Sequence, residues 1–251
     1  MSVTHLRQRD SEEWRQRADL AAAFRLAARN DWHEAVANHF SLALSDDGKR
    51  FLMNPRWRHF SRIRASDLVL LDADDAATMD RPDAPDPSAW CIHGALHAML
   101  PHARCVLHVH PKYATALASL ADPTILPIDQ NTARFYRRVA IDLDFGGVAD
   151  NAAEGRRIAA ALGNHRRMIL GNHGVLVVAP TVAEAYDDLY YLERACQTQV
   201  LAYATGQKLN VMPHELAERT AQGWETYPSY AEAHFREMTA ILDAEAPSYA
   251  E

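Results

Sequence analysis

Apolar residues along this chain alternate between helical and strand spacing. From Glu12 to about Ala28, Leu20, Ala23, Phe24 and Ala27 recur at three- and four-residue intervals and mark one face of a helix, with Ser11 placed to cap it. Short apolar runs follow at Phe40–Leu44, Phe51–Met53 and Val69–Leu71 and read as strands. The stretch Asp80 to Pro87 (DRPDAPDP) reads as a surface loop, because proline removes backbone donors and aspartate favours turns. Ser88 then serves as the cap of a second helix, which Pro101 ends. Cys105 to His110 (CVLHVH) is rich in apolar and β-branched residues and predicts another strand, followed by a helical segment from Lys112 to Leu120.

Asn151 with Glu154 opens a helix to about Leu162, and Thr181 with Glu184 matches a capping box at the head of a long helix to about Thr205, with Gly206 beyond it. Between these helices, Ile169 and Val175–Val178 are strand-like and flank Gly171-Asn172-His173-Gly174. The last 45 residues read as irregular structure plus one helix near Tyr230–Ala244. Helices and strands are interspersed, yet several early strands adjoin with no helix between them. This pattern argues for an α/β protein whose sheet is mixed in direction and covered by helices on both faces.

Length and charge narrow the picture. A chain of 251 residues with 48% hydrophobic residues suits one compact domain over 1–251 with a full core. A net charge of −7 with no basic block argues against nucleic acid, and no apolar run approaches the roughly 20 residues of a membrane helix. The polar, acidic start MSVTHLRQRDSEEW lacks a signal-peptide core, and Cys91, Cys105 and Cys196 are scattered with no CxxC pair. A reducing cytoplasm fits both features.

His108 and His110 stand two apart on a predicted strand, so their side chains share a face and can chelate one ion, while Leu107 and Val109 point into packing. Alone, the pair is equally a set of hydrogen-bonded histidines at a strand end. His173 sits between glycines that permit a tight turn, and on its own is equally a turn histidine bonded to backbone. His93 and His97, four apart, share a helix face, either lining the same site or forming a polar stripe.

The stretches AWCIHGALHAMLPHARCVLHVHP and GNHGVLVVAPTVAEAYDDLYYLERACQ, with NHFSLAL and FLMNPRWRHFSRIRASDLVLLD upstream, resemble the class II aldolase/adducin family, its adducin-like bacterial branch, over about residues 15–205. The resemblance implies a three-layer α/β/α fold with a central mixed, largely antiparallel sheet, followed by a C-terminal extension over 206–251. It also implies one divalent metal ion on His108, His110 and His173 (zinc first, with manganese or iron also suited) and a homotetramer with the site near a subunit boundary. The family includes sugar-phosphate aldolases, epimerases, decarboxylases and the non-catalytic adducin head.

Departures from the sugar-phosphate aldolases shape the expected chemistry. Their acid/base carboxylate falls at Ala89, which can neither move a proton nor hold a cation. Their phosphate-binding segments read here as Asn38-His39-Phe40-Ser41, Asn54-Pro55-Arg56-Trp57 and Pro87-Ser88, with bulky Trp57 where a small residue would let backbone N–H groups approach an anion. Their tyrosine proton donor falls at Ile141. The expectation is therefore a metal-dependent carbon–carbon lyase, a decarboxylase or aldolase, for a small oxo- or hydroxy-acid. Decarboxylation needs no base to start it. Arg56 would pair with the substrate carboxylate, and His39 and His93 would handle protons. Asp129, Gln130, Asn131 and Tyr136 are candidate pocket residues, and Tyr227 and Tyr230 candidates for a neighbouring subunit's site. The alternatives are a sugar-phosphate aldolase or epimerase with a displaced acid/base, and an adducin-like interaction domain without catalysis.

Overall fold

The computed structural model describes residues 11–75, 77–144, 146–147 and 151–251. The first ten residues, which carry most of the segment examined for a leader, lie outside the described residues. The elements in chain order are α1 (Glu12–Arg29), β1 (His39–Ala43), β2 (Arg50–Met53), β3 (Val69–Asp72), α2 (Pro87–Met99), β4 (Cys105–Val109), α3 (Lys112–Ala118), α4 (Gln130–Ala133) and β5 (Val139–Asp142). They continue with α5 (Ala152–Leu162), β6 (Arg167–Leu170), β7 (Gly174–Ala179), α6 (Val182–Ala204), α7 (His214–Glu225) and α8 (Tyr230–Glu245). The sheet runs β3-β2-β1-β4-β7-β6-β5. Every neighbouring pair is antiparallel except β5 and β6, so the sheet is mixed and largely antiparallel.

Strand alternation sorts the two faces. Phe40, Leu42, Leu107, Val109, Val175 and Val177 point to one side and form a core with α1, α3, α6 and α8. There Phe24 of α1 stacks on Phe40 and meets Phe60 edge-on, both with centroids 4.6 Å apart. Val106, Leu176, Val178 and Met168 point to the other side, against Ile92 and Leu96 of α2 and Ile158, Ala159 and Leu162 of α5. Helices α2 and α5 touch at Gly155, where an added Cβ would lie 2.2 Å from the Cys91 carbonyl oxygen. Helices on both faces make the expected three layers.

Several boundaries and causes differ from the sequence reading. Helix α2 is capped by Asp86, not Ser88: the Asp86 carboxylate accepts from the Ser88 N–H at 2.9 Å, with Pro87 in the first turn. Thr181 caps α6 by accepting from the Glu184 N–H at 3.2 Å, but the Glu184 carboxylate turns to Arg166 at 2.8 Å, so the box is half formed. Strand β5 escapes the pattern because it is a short edge strand, with Ile141 40% exposed and Asp142 buried against Arg157. Helix α7 gives no helical signal in the sequence, because its buried stripe is only Ala217 and Ala221, too small to stand out as apolar periodicity. The three cysteines form no disulfide, and no helix is long and apolar enough to cross a membrane, among the described residues.

Helix α6 holds the charged interior. Arg134 donates to Asp187 at 2.5 Å and Asp188 at 2.9 Å, and Arg167 also donates to Asp188. Further along, Glu193 accepts the backbone N–H groups of Tyr113 at 3.0 Å and Ala114 at 2.8 Å. It thereby caps α3, whose own N-cap, Pro111, offers no side-chain acceptor. Burial pushes the Glu193 carboxyl up to about 7 despite these two donors. An unfolded glutamate titrates near about 4.3, so folding favours the protonated form and stability falls as pH rises through the folded value. Urea unfolding of Glu193→Gln beside the parent tests this. The stability difference should move in favour of the variant between about pH 4.3 and pH 8; a difference independent of pH would mean that Glu193 is ionised throughout.

Candidate metal centre and its cavity

The site lies on the α2 side of the sheet, where β1 and β4 pair with His39 opposite His108. His108 projects from β4, His110 follows one residue beyond its end, and His173 comes from the turn joining β6 to β7. The three ring centroids are 4.6–4.9 Å apart, and one ligand atom from each lies within 4.8 Å of the others. His108 Nε2 and His110 Nε2 are 3.2 Å apart. Two nitrogens bound at roughly 2.0–2.1 Å in a tetrahedral shell stand about 3.3–3.4 Å apart, so this spacing fits a metal ion between them.

The outer atoms of the rings fix which nitrogen is offered. His108 Nδ1–H donates to the Val175 carbonyl at 3.0 Å, and His110 Nδ1–H donates to the Glu34 carboxylate at 2.7 Å. Both leave Nε2 as the ligating lone pair, the usual arrangement behind a metal-bound imidazole. Burial, with the neighbouring imidazoles adding to it, drives His108 well below its ordinary value and His173 to about 4. Both rings are therefore neutral at physiological pH, as a ligand must be.

Glu34 was not visible as a site residue in the sequence. It sits on the loop between α1 and β1, where Asp31, Ala35 and Asn38 all take positive φ and the Asn38 side chain accepts the Glu34 N–H at 2.9 Å. Three left-handed non-glycine residues in eight positions is a backbone held against its preference, and it delivers one carboxylate to His110. The glycines around His173 also act differently from the expectation. Asn172, not a glycine, takes the left-handed turn at φ 55. Gly174 is needed for close approach, since an added Cβ would lie 2.5 Å from His110 Cδ2 and 2.7 Å from the Val109 carbonyl oxygen.

A cavity of about 440 Å³ opens beside the three rings, walled by His39, Arg56, Trp57, Asp86, Ala89 and Ile92 among others. Arg56 lies over the Trp57 ring at 4.3 Å from its centroid and makes no ion pair among the described residues. The Ala89 methyl closes the wall where a carboxylate would reach inward. His39 faces the cavity, and burial pushes it down to about 3, with the Asp86 charge partly opposing. His93 does not reach the cavity. It is fully buried, with Nε2 2.7 Å from His39 Nδ1 and Nδ1 2.5 Å from Ser41 Oγ, which corrects its expected role as a direct proton donor and leaves it no nitrogen for a fourth metal ligand.

Other candidates lie elsewhere. Asp129 caps α4, with Gln130 and Asn131 in its first turn, and Tyr136 meets His214 at 3.1 Å, all outside this cavity because the chain from Pro123 to Arg138 packs beside α6 and α7. Tyr227 and Tyr230 line a second cavity of about 400 Å³ with Arg134, Asp187 and Asp188. Ile141 lies at the sheet edge, away from the site.

This fold and this triad of imidazoles define a class, and comparison gives it a name. The chain belongs to the class II aldolase/adducin family: residues 18–200 match the Class II Aldolase and Adducin N-terminal domain. It is 34% identical over 206 residues to an aldolase class 2 protein of Caulobacter vibrioides, covering 82% of this chain and 79% of that one. It is 30% identical over 221 residues to Decarboxylase NovR of Streptomyces niveus, covering 85% and 81%. Among solved structures, an aldolase II superfamily protein from Pseudomonas syringae superposes with a TM-score of 0.87 at 31% identity, covering 98% and 100% of the two chains. L-fuculose 1-phosphate aldolase from Glaciozyma antarctica superposes with a TM-score of 0.78 at 24% identity, covering 96% and 94%, a likeness of fold.

Two substitutions probe the cage. Glu34→Gln is expected to weaken zinc affinity roughly 10–100-fold in a chelator competition, the usual effect of removing an outer partner of a ligand. Unchanged affinity would detach Glu34 from the site. Gly174→Ala should abolish stoichiometric zinc binding in the same assay, because His110 must move to admit the methyl group; full retention would show that the turn yields instead.

Proposed function

We propose that the chain is a metal-dependent carbon–carbon lyase acting on a small oxo- or hydroxy-acid, by decarboxylation or aldol cleavage. The observation that carries this reading is the convergence of three imidazoles on a cavity whose wall holds an arginine with no ion pair among the described residues and no carboxylate at position 89. His108, His110 and His173 hold the ion, with zinc proposed first. When bound, the ion supplies Lewis-acid polarisation of a substrate oxygen next to the bond that breaks. Arg56, flattened on Trp57, receives the substrate carboxylate through its planar fork. His39 touches the substrate, and His93 positions His39 from behind.

The similarity to a protein named as a decarboxylase supports this direction. Trp57 supports it against a sugar-phosphate substrate, since the indole occupies the wall where backbone N–H groups would meet phosphate. We further propose that residues 1–251 form one domain that includes the 206–251 extension, whose Phe235, Leu242 and Tyr249 join the main core. The protein is proposed to work as a homotetramer in the cytoplasm, without nucleic-acid or membrane partners.

Elemental analysis comes first. Wild-type protein should carry close to one metal ion per chain, and the His108→Ala/His110→Ala/His173→Ala variant almost none. Metal-loaded protein is then screened against small oxo- and hydroxy-acids for carbon dioxide or carbonyl release. Arg56→Ala should raise KM at least tenfold for any acid that is cleaved, with a smaller change in kcat. Absence of metal after soaking with zinc, manganese and iron would move the adducin-like, non-catalytic reading to first place. Metal without cleavage of any acid would end the lyase reading.

A further inference from the structure

Behind the cavity runs a continuous row of hydrogen bonds whose direction is fixed at its inner end. His97 Nδ1 lies 2.7 Å from the Ala103 carbonyl oxygen, which has no hydrogen to give, so Nδ1–H is the donor. His97 is 4% exposed with no carboxylate partner among the described residues and stays neutral, leaving Nε2 as a lone pair. Ser41 Oγ, 2.6 Å away, must donate to it. With its hydrogen committed, Ser41 Oγ accepts from His93 Nδ1–H at 2.5 Å. His93, fully buried and neutral, then presents Nε2 as an acceptor to His39 Nδ1–H at 2.7 Å. The row ends at His39 Nε2, which has no protein partner among the described residues, on a ring that lines the cavity.

We propose that this row makes His39 Nε2 a fixed hydrogen-bond acceptor, and that the site therefore selects acids bearing a hydroxyl over the matching oxo-acids. A hydroxyl group can give its hydrogen to Nε2. A carbonyl oxygen carries only lone pairs and meets another lone pair there. Sites built around one buried polar group discriminate strongly against the analogue that cannot pair with it. The lone pair cannot become a donor by a simple switch of tautomer, because His93, Ser41 and His97 would all have to reverse and leave His97 facing the Ala103 carbonyl without a hydrogen. Ser41, three hydrogen bonds from the substrate and fully buried, is thus a positioning residue for selectivity. The inference rests on the lyase reading for the class of acid, and it deepens that reading by choosing between the two kinds.

The test uses full-length, zinc-loaded protein. Nitrogen-15 spectra of the histidine rings should show His39 protonated at Nδ1 and bare at Nε2. Calorimetry should show lactate and phenyllactate binding at least tenfold more tightly than pyruvate and phenylpyruvate. In Ser41→Ala the row is cut, so the His39 tautomer should no longer be fixed and the preference should fall below threefold with zinc stoichiometry retained. Ser41→Thr, which restores the hydroxyl, should recover both. A hydrogen on His39 Nε2 in the parent protein, equal affinity for the paired acids, or binding of neither kind would overturn the inference and leave the lyase reading to the wider screen. Tight, selective binding of hydroxy-acids with no cleavage would do the reverse, sustaining the inference and ending the lyase reading.

Discussion

The antiparallel registration of β4 between β1 and β7 is the constraint on which the site depends. With His108 opposite His39 on one side and Leu176 on the other, the alternation of the strand sends His108 toward α2 and sends Leu107 and Val109 into the α1, α3 and α6 core. A slip of one residue would bury an imidazole among apolar side chains and turn two large apolar groups into the cavity. The same pairing brings the Val175 carbonyl to His108 Nδ1, so the strand ladder also determines which nitrogen is free. Packing on the far face and chemistry on the near face are two results of one register.

Electrostatically, the buried ion pairs lie apart from the imidazoles of the candidate site. Buried ion pairs gather along α6, where Arg134, Arg166 and Arg167 surround Asp187 and Asp188. Around the triad, by contrast, burial keeps His39, His93, His97, His108 and His173 neutral, and Glu34 meets His110 from the solvent side. An ion held by neutral ligands would keep its full charge.

Much of this was readable in the sequence, for identifiable reasons. Apolar spacing marked α1 and α6, which each bury one face, and β-branched runs marked β4 and β7, whose side chains are buried along the whole strand. The pairing of His108 with His110 follows from strand geometry alone. His173 joined them through the family resemblance, since nothing local says that residue 173 lies beside residue 110. Glu34 and Asp86 carry no local signal as site residues, and the place of Ser41 behind His93 is hidden, because these roles depend on long-range contact or on an irregular loop. Ser88 has the chemistry of a cap, but Asp86, two residues earlier, competes better once Pro87 occupies the first turn. The roles of Gly171 and Gly174 were expected from backbone freedom, whereas Gly174 matters for the space His110 needs and Asn172 takes the unusual dihedral.

The three histidines of the triad are carried by β4, its C-terminal end and the turn between the neighbouring β6 and β7, while the other cavity residues sit on a helix, on β1 and on the loops beside it. Change can therefore accumulate at positions such as 57 and 89 without touching the framework that would retain the ion. A lineage built this way can exchange one substrate for another, or give up turnover altogether, by small steps at the rim. The loop bearing Glu34 extends that freedom one step further: it lies outside the strands, so a substitution at the outer partner of His110 leaves the register of the sheet untouched.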